Sequence, residues 1–207
     1  MLQADNISIH FGDEHVLDRF SCHVERGAFV CVVGASGCGK TSLLKCFIGI
    51  TPLTEGSVRV GSDMLSEHSC AAIRKRVAYL PQDLAMPYDT VDDAVRQLLK
   101  IGGLKHTQQT MLTLRDNMMR LGLDEELLGK RVAEISGGQR QRLMLAALAL
   151  LDRELWLLDE PTSALDKVAR DYVMDFLAEQ QRKGKTIVAV SHDAAVAAQC
   201  TAIIKLK

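Results

Sequence analysis

Apolar positions along the chain follow two rhythms. Four short runs, at residues 28–33, 77–80, 155–158 and 186–190, are continuous rather than alternating, as strands covered on both faces of a parallel sheet should be. Between them lie stretches with helical spacing and helix-ending signals: 40–48 before Gly49, 91–99, 110–121, 139–151, and 167–183 before Gly184. Strands alternating with helices predict an α/β fold around a parallel sheet. The first part of the chain reads differently. Residues 6–11, 15–24 and 57–60 carry more polar side chains and a tight turn at Phe11-Gly12-Asp13, which predicts a small, mostly antiparallel sheet. From about 83 to 136 helices occur without a buried strand, the pattern of a helical subdomain inserted between two sheet strands.

Composition narrows the class. The chain has 207 residues, which predicts a single domain covering 1–207. Its 25 basic residues against 26 acidic ones, for a net charge of −1, leave no cationic surplus to hold phosphate backbones, so no nucleic-acid partner is expected. The longest uncharged apolar run, 143–151, falls far short of the roughly 20 residues of a membrane-spanning helix. Residues 1–10 include Asp5 and lack a basic stretch followed by an apolar one, so no secretory signal is expected and the cytoplasm is the expected compartment. The six cysteines form no C-x-x-C pair, which argues against a zinc site or a disulfide framework.

In an open parallel sheet, ligands bind at the carboxyl ends of the strands. Four such ends carry chemistry here. After 28–33 comes Gly34-Ala35-Ser36-Gly37-Cys38-Gly39-Lys40-Thr41-Ser42, a match to G-x-x-x-x-G-K-[ST] between a strand and a helix. Glycines let backbone N–H groups face inward, the helix start adds positive potential and Lys40 a full charge, so the loop suits a polyphosphate with Thr41 toward Mg²⁺. After 155–158 come Asp159 and Glu160; Asp159 suits the metal and Glu160 the attacking water. Gln82, assigned with Thr41 and Asp159 to the metal and nucleotide, and His192, assigned with Glu160 and Lys40 to catalysis, follow the other two strands. Cys38 is either an activated thiol beside Lys40 or a filler in the loop.

Ile135-Ser136-Gly137-Gly138-Gln139 resembles the L-S-G-G-Q signature of the ABC ATPases, with Ile135 in place of Leu. Asp159-Glu160-Pro161-Thr162-Ser163-Ala164-Leu165-Asp166 is similar to that family's Walker B strand end and D-loop, Tyr79 to Gln82 to its Q-loop, and Ser191-His192-Asp193 to its switch histidine. The resemblance covers the whole chain. It implies a P-loop NTPase fold with a RecA-like core, and two copies that sandwich two ATP molecules with Mg²⁺. Each ATP would then lie between the phosphate loop of one copy and Ser136, Gly137, Gly138 and Gln139 of the other. Phe11 stands where the family carries an aromatic residue stacked on adenine; an unrelated core phenylalanine is the competing reading.

For such a family member, three functions compete. The first is ATP hydrolysis that powers transport through a separate membrane permease, with the chain peripheral on the inner membrane face and the Asp83–Tyr88 stretch as contact or as core. The second is a cytosolic role in DNA repair or translation, whose family members carry coiled-coil insertions, zinc modules or two ATPase units that 207 residues do not hold. The third is a scaffold with weak hydrolysis, which would predict damage at Glu160 or His192; both are intact. The transport reading is the expected one. Asp89-Thr90-Val91 faintly resembles metal-efflux cassettes.

Overall fold

A computed structural model describes residues 1–12 and 14–206, so Asp13 of the expected hairpin turn lies outside the described residues. In chain order the elements are β1 (Leu2–Phe11), β2 (Glu14–Val24), β3 (Phe29–Val33), α1 (Lys40–Phe47), β4 (Glu55–Val60), β5 (Asp63–Met64), α2 (Cys70–Arg74) and β6 (Val77–Leu80). There follow α3 (Val91–Ile101), α4 (Gln108–Arg120), α5 (Gly137–Leu150), β7 (Leu155–Asp159), α6 (Lys167–Arg182), β8 (Thr186–Val190), α7 (Ala194–Ala198) and β9 (Ala202–Lys205). Strands β6, β7, β8, β3 and β9 form, in that order, an all-parallel sheet. Strands β2, β1, β4 and β5 form a separate antiparallel sheet.

The continuous apolar runs have a direct cause. Along β7, Trp156 and Leu158 enter a core shared with α4, α5 and α6, while Leu155 and Leu157 enter a second core with α1 and the antiparallel sheet. β8 divides in the same way, Ile187 and Ala189 to one face and Val188 and Val190 to the other. With both faces covered, no polar alternation survives. β2, by contrast, is largely exposed, which explains its polar content.

Three features differ from the sequence expectation. β9 is a parallel edge strand beside β3 whose side chains are mostly exposed, and its apolar run, Ala202 to Ile204, is only three residues long, shorter than those of the inner strands. The short helices α2 and α7 span too few residues to show a helical period. Helix α5 begins at Gly137, not near Gln139: Ser136 Oγ accepts from Gln139 N at 3.1 Å, and Gln139 Oε1 accepts from Ser136 N at 2.9 Å. That reciprocal capping box places both glycines inside the first turn.

At the amino end of β7 a charged strut joins the two sheets. Arg76 donates to Val60 O at 3.0 Å and Asp63 Oδ2 at 2.8 Å and also binds Glu154, which in turn holds Arg26 at 3.0 Å. The chemistry lies at the opposite strand ends.

Candidate active site

Neighbouring strands lie about 4.8 Å apart, so the carboxyl ends of β3 and β7, separated by β8, converge within about 10 Å. They open onto a cavity of about 840 Å³. Its lining includes eleven of the residues expected from sequence: Phe11, Ser36, Gly37, Gly39, Lys40, Thr41, Ser42, Gln82, Asp159, Glu160 and His192. Gly34, Ala35 and Cys38 do not line it; Gly34 and Cys38 are half-buried and Ala35 is exposed. Lys40 is buried and folds back to donate from Nζ to Gly34 O at 3.0 Å and Ala35 O at 2.6 Å, with Cys38 Sγ at 4.0 Å. Gly39 caps α1 at φ 90°, and a Cβ there would lie 2.5 Å from Val16 Cγ1. Only glycine meets both demands, left-handed backbone and contact with β2.

Asp159 is 1% exposed, and neither of its carboxylate oxygens has a hydrogen-bond partner among the described residues. Burial pushes its carboxyl above the usual range, with Thr41, Lys45 and Lys40 pulling the other way. Thr41, Gln82 and Asp159 also line a second cavity with Lys45 and Tyr79, so a hydroxyl, an amide and a buried carboxylate face common space.

Glu160 is buried and sits at φ 51°, a left-handed conformation strained for a residue with a side chain. His192 Nε2 lies 3.1 Å from Glu160 Oε1, close enough for charge contact but without the alignment of a hydrogen bond. Burial raises the Glu160 carboxyl, and His192 is the main opposing influence. Asp193, next in the chain, pairs with Arg170 on α6 and receives support from Ser191, whose Oγ accepts from Asp193 N at 3.0 Å. Sequence reasoning passed over Glu14, Val16, Thr162, Ser163, Arg170 and Asp193 as cavity residues. Arg170 could have been found from its position one turn into the helix that follows Asp166, the α6 N-cap.

The expected residues Ser136, Gly137, Gly138 and Gln139 are not among those that line this cavity. Ser136 and Gly137 are exposed at the start of α5. Gly138 presses on the loop after β7, where a Cβ would come within 2.9 Å of Ala164 O. Because Ser136 Oγ serves the cap only as acceptor, its O–H remains a donor, and the first-turn N–H groups of Gly137 and Gly138 have no intrahelical acceptor. Phe11 is 50% exposed at the cavity mouth, so the reading as a core phenylalanine is set aside. Leu84, Met86 and Tyr88 are half-buried and pack on the main core, while Ala85 and Pro87 between them are exposed.

Residues 17–163 match the protein family described as ABC transporter. The phosphonates import ATP-binding protein PhnC of Trichormus variabilis is 34% identical over 194 residues, covering 89% of this chain and 78% of the relative. The ergothioneine transport ATP-binding protein EgtV of Helicobacter pylori is 31% identical, covering 93% and 90%. Among solved structures, a dimeric ATP-binding cassette in a post-hydrolysis state bound to ADP and Pi superposes with a TM-score of 0.89 at 26% identity, over 100% of this chain and 94% of that one.

Proposed function

The chain belongs to the ABC transporter family and is an ABC-type ATPase; from that premise we propose that two copies close on two ATP molecules and transmit the closure to a separate integral membrane permease. The observation that carries this reading is the division of the site. Phosphate-loop, carboxylate and histidine groups share one cavity, while the signature helix start does not line it and is exposed at Ser136 and Gly137, which suits a phosphate brought by another copy. Among the described residues no helix is long and apolar enough to cross a membrane, so coupling calls for a membrane partner, with the chain on the cytoplasmic face. Its 207 residues act as one ATPase domain, with about 83–136 as its helical subdomain.

Each residue has a role in this scheme. Lys40 leaves its two loop carbonyls for the stronger acceptor offered by the terminal phosphate. Glycine-rich backbone from Gly34 to Gly39 wraps the phosphates, Ser42 and Gln82 line them, and Phe11 stacks on the base. A divalent cation fits beside them: Asp159 offers two buried oxygens with no well-formed hydrogen bond among the described residues, Thr41 beside it a hydroxyl and Gln82 an amide oxygen, the hard donors Mg²⁺ takes together with phosphate oxygens. Bound there, Mg²⁺ neutralises charge developing on the phosphates. Glu160 takes the proton of the attacking water, and its raised carboxyl makes it a better base than an ordinary one. His192 keeps that carboxylate in place and turns its ring toward the phosphate. The transport roles of the relatives PhnC and EgtV support this reading over DNA repair or translation. Their different cargoes indicate that the cassette is a shared engine rather than the selector.

The test is Glu160→Gln. Turnover should fall by about 10²–10⁴, and Mg-ATP should convert the variant from monomer to dimer in sedimentation. Pulled from native membranes in that closed state, it should bring an integral membrane protein. A variant that stays monomeric with Mg-ATP, or returns with ribosomes or DNA-bound proteins instead, would refute the scheme.

A further inference from the structure

Gln141 lies one turn into α5 and is 3% exposed, and its Nε2 donates to the backbone carbonyl of Glu160 at 2.7 Å. An amide is a costly way to fill a core position, because burial strips its water and every unmet hydrogen bond is a loss. Half of this amide is unmet: Oε1 is enclosed with no hydrogen-bond partner among the described residues. Farther along the same helix the buried positions are filled by Leu143, Leu145, Ala146 and Leu148, so packing alone would be served by an apolar side chain. What the amide adds is the bond to Glu160.

That bond acts on a strained residue. At φ 51° the Glu160 peptide persists only if its surroundings over-determine it. Its N–H donates to Val190 O at 3.0 Å, and its carbonyl accepts from Ser163 N at 3.2 Å and Ser163 Oγ at 3.1 Å as well as from Gln141. Ser163 belongs to the same turn and moves with it, and Val190 fixes only the strand side. The bond from Gln141 is the shortest of the four and comes from a separate element, the helix opened by Ser136, Gly137 and Gly138.

We propose that Gln141 is a positioning residue for hydrolysis: its amide locks the Glu160 carbonyl and thereby aims the Glu160 carboxylate, so that the aim of the base follows the position of the signature helix in the same chain. This rests on the reading of Glu160 as the base. No covalent change at Gln141 is involved.

Gln141→Met keeps the length and volume and deletes the donor. The expected result is a kcat about tenfold lower, the value of one lost hydrogen bond, with KM and Kd for Mg-ATP within about twofold of wild type. Gln141→Glu, which sets an anion against the carbonyl, should lower kcat further. On the Glu160→Gln background the Met change should leave residual turnover unaltered. Wild-type kcat in Gln141→Met overturns the proposal. So does joint loss of kcat and Mg-ATP affinity, or failure of both Gln141 variants to fold, since either result makes Gln141 a packing residue. An equal drop on the Glu160→Gln background also overturns it, by routing the effect elsewhere. Full turnover in Glu160→Gln alone removes the base and this proposal together, whereas an inactive Glu160→Gln beside an unaffected Gln141→Met removes the positioning role only.

Discussion

Two glycine-rich segments of this chain each open a helix, and they sit in opposite surroundings. The loop from Gly34 to Gly39 feeds α1 inside the main cavity, with Lys40 buried against it and the carboxylates of Asp159 and Glu160 nearby. The segment Ser136-Gly137-Gly138 feeds α5 outside that cavity, with Ser136 and Gly137 exposed and Gly138 half-buried. Both use the same physics, helix N-terminal donors and close backbone approach. Only the first is accompanied by a cation and a base. In the scheme proposed above, a nucleotide binds one copy through the first segment, and the second segment serves when another copy brings a phosphate to it.

The largest effect should come from deleting the charge on the first side. Lys40→Ala is expected to weaken Mg-ATP binding about 100-fold, from the loss of charge-assisted hydrogen bonds worth about 2–3 kcal/mol. Calorimetric titration would measure it, and wild-type affinity would abolish the contrast between the two segments. Ser136→Arg strikes the second side alone. Mg-ATP affinity of the monomer should be unchanged while ATP-driven dimerisation, followed by light scattering, disappears. Loss of the Ser136 cap should cost about 1 kcal/mol, lowering the melting temperature by about 2–4 °C. Dimerisation that survives would show that the α5 start takes no part in closure.

The smallest effect concerns pH. Burial, with the neighbouring Asp159 charge adding to it, outweighs the lowering pull of His192 and Lys40 and holds the Glu160 carboxyl above the usual carboxylate range. The base form is the ionised one, so kcat should fall on the acid side at a higher pH than an ordinary glutamate would give. His192 lowers that carboxyl; His192→Ala should therefore move the acid limb to still higher pH, beyond any change in kcat at the plateau. A limb that stays in place, or moves down, would separate His192 from Glu160 electrostatically.

Much of this was legible before any coordinates. The inner strands were readable because both faces of β7 and β8 are buried, which forces continuous apolar runs such as Leu155 to Leu158. The phosphate loop was readable because its donors are consecutive in sequence and its glycines are demanded by backbone geometry. β9 was not, since on an exposed edge only Ile204 packs on the core and its apolar run of Ala202, Ile203 and Ile204 is three residues long. Nor was Gln141, whose partner is 19 residues away on another element; a glutamine in a helix looks like any surface glutamine until the fold buries it. Arg170 and Asp193 pair across 23 residues for the same reason.

Sequence alone determined the fold class, the family and the types of group at each strand end, because those depend on local spacing, on burial rhythm and on motifs of a few adjacent residues. Tertiary structure decided which groups meet. It brought Thr41, Gln82 and Asp159 around one space, set His192 3.1 Å from Glu160, left the signature segment outside the cavity, and turned Gln141 inward onto a strained carbonyl. Such contacts join distant parts of the chain through packing, and packing is a property of the assembled sheets and helices rather than of any stretch read by itself.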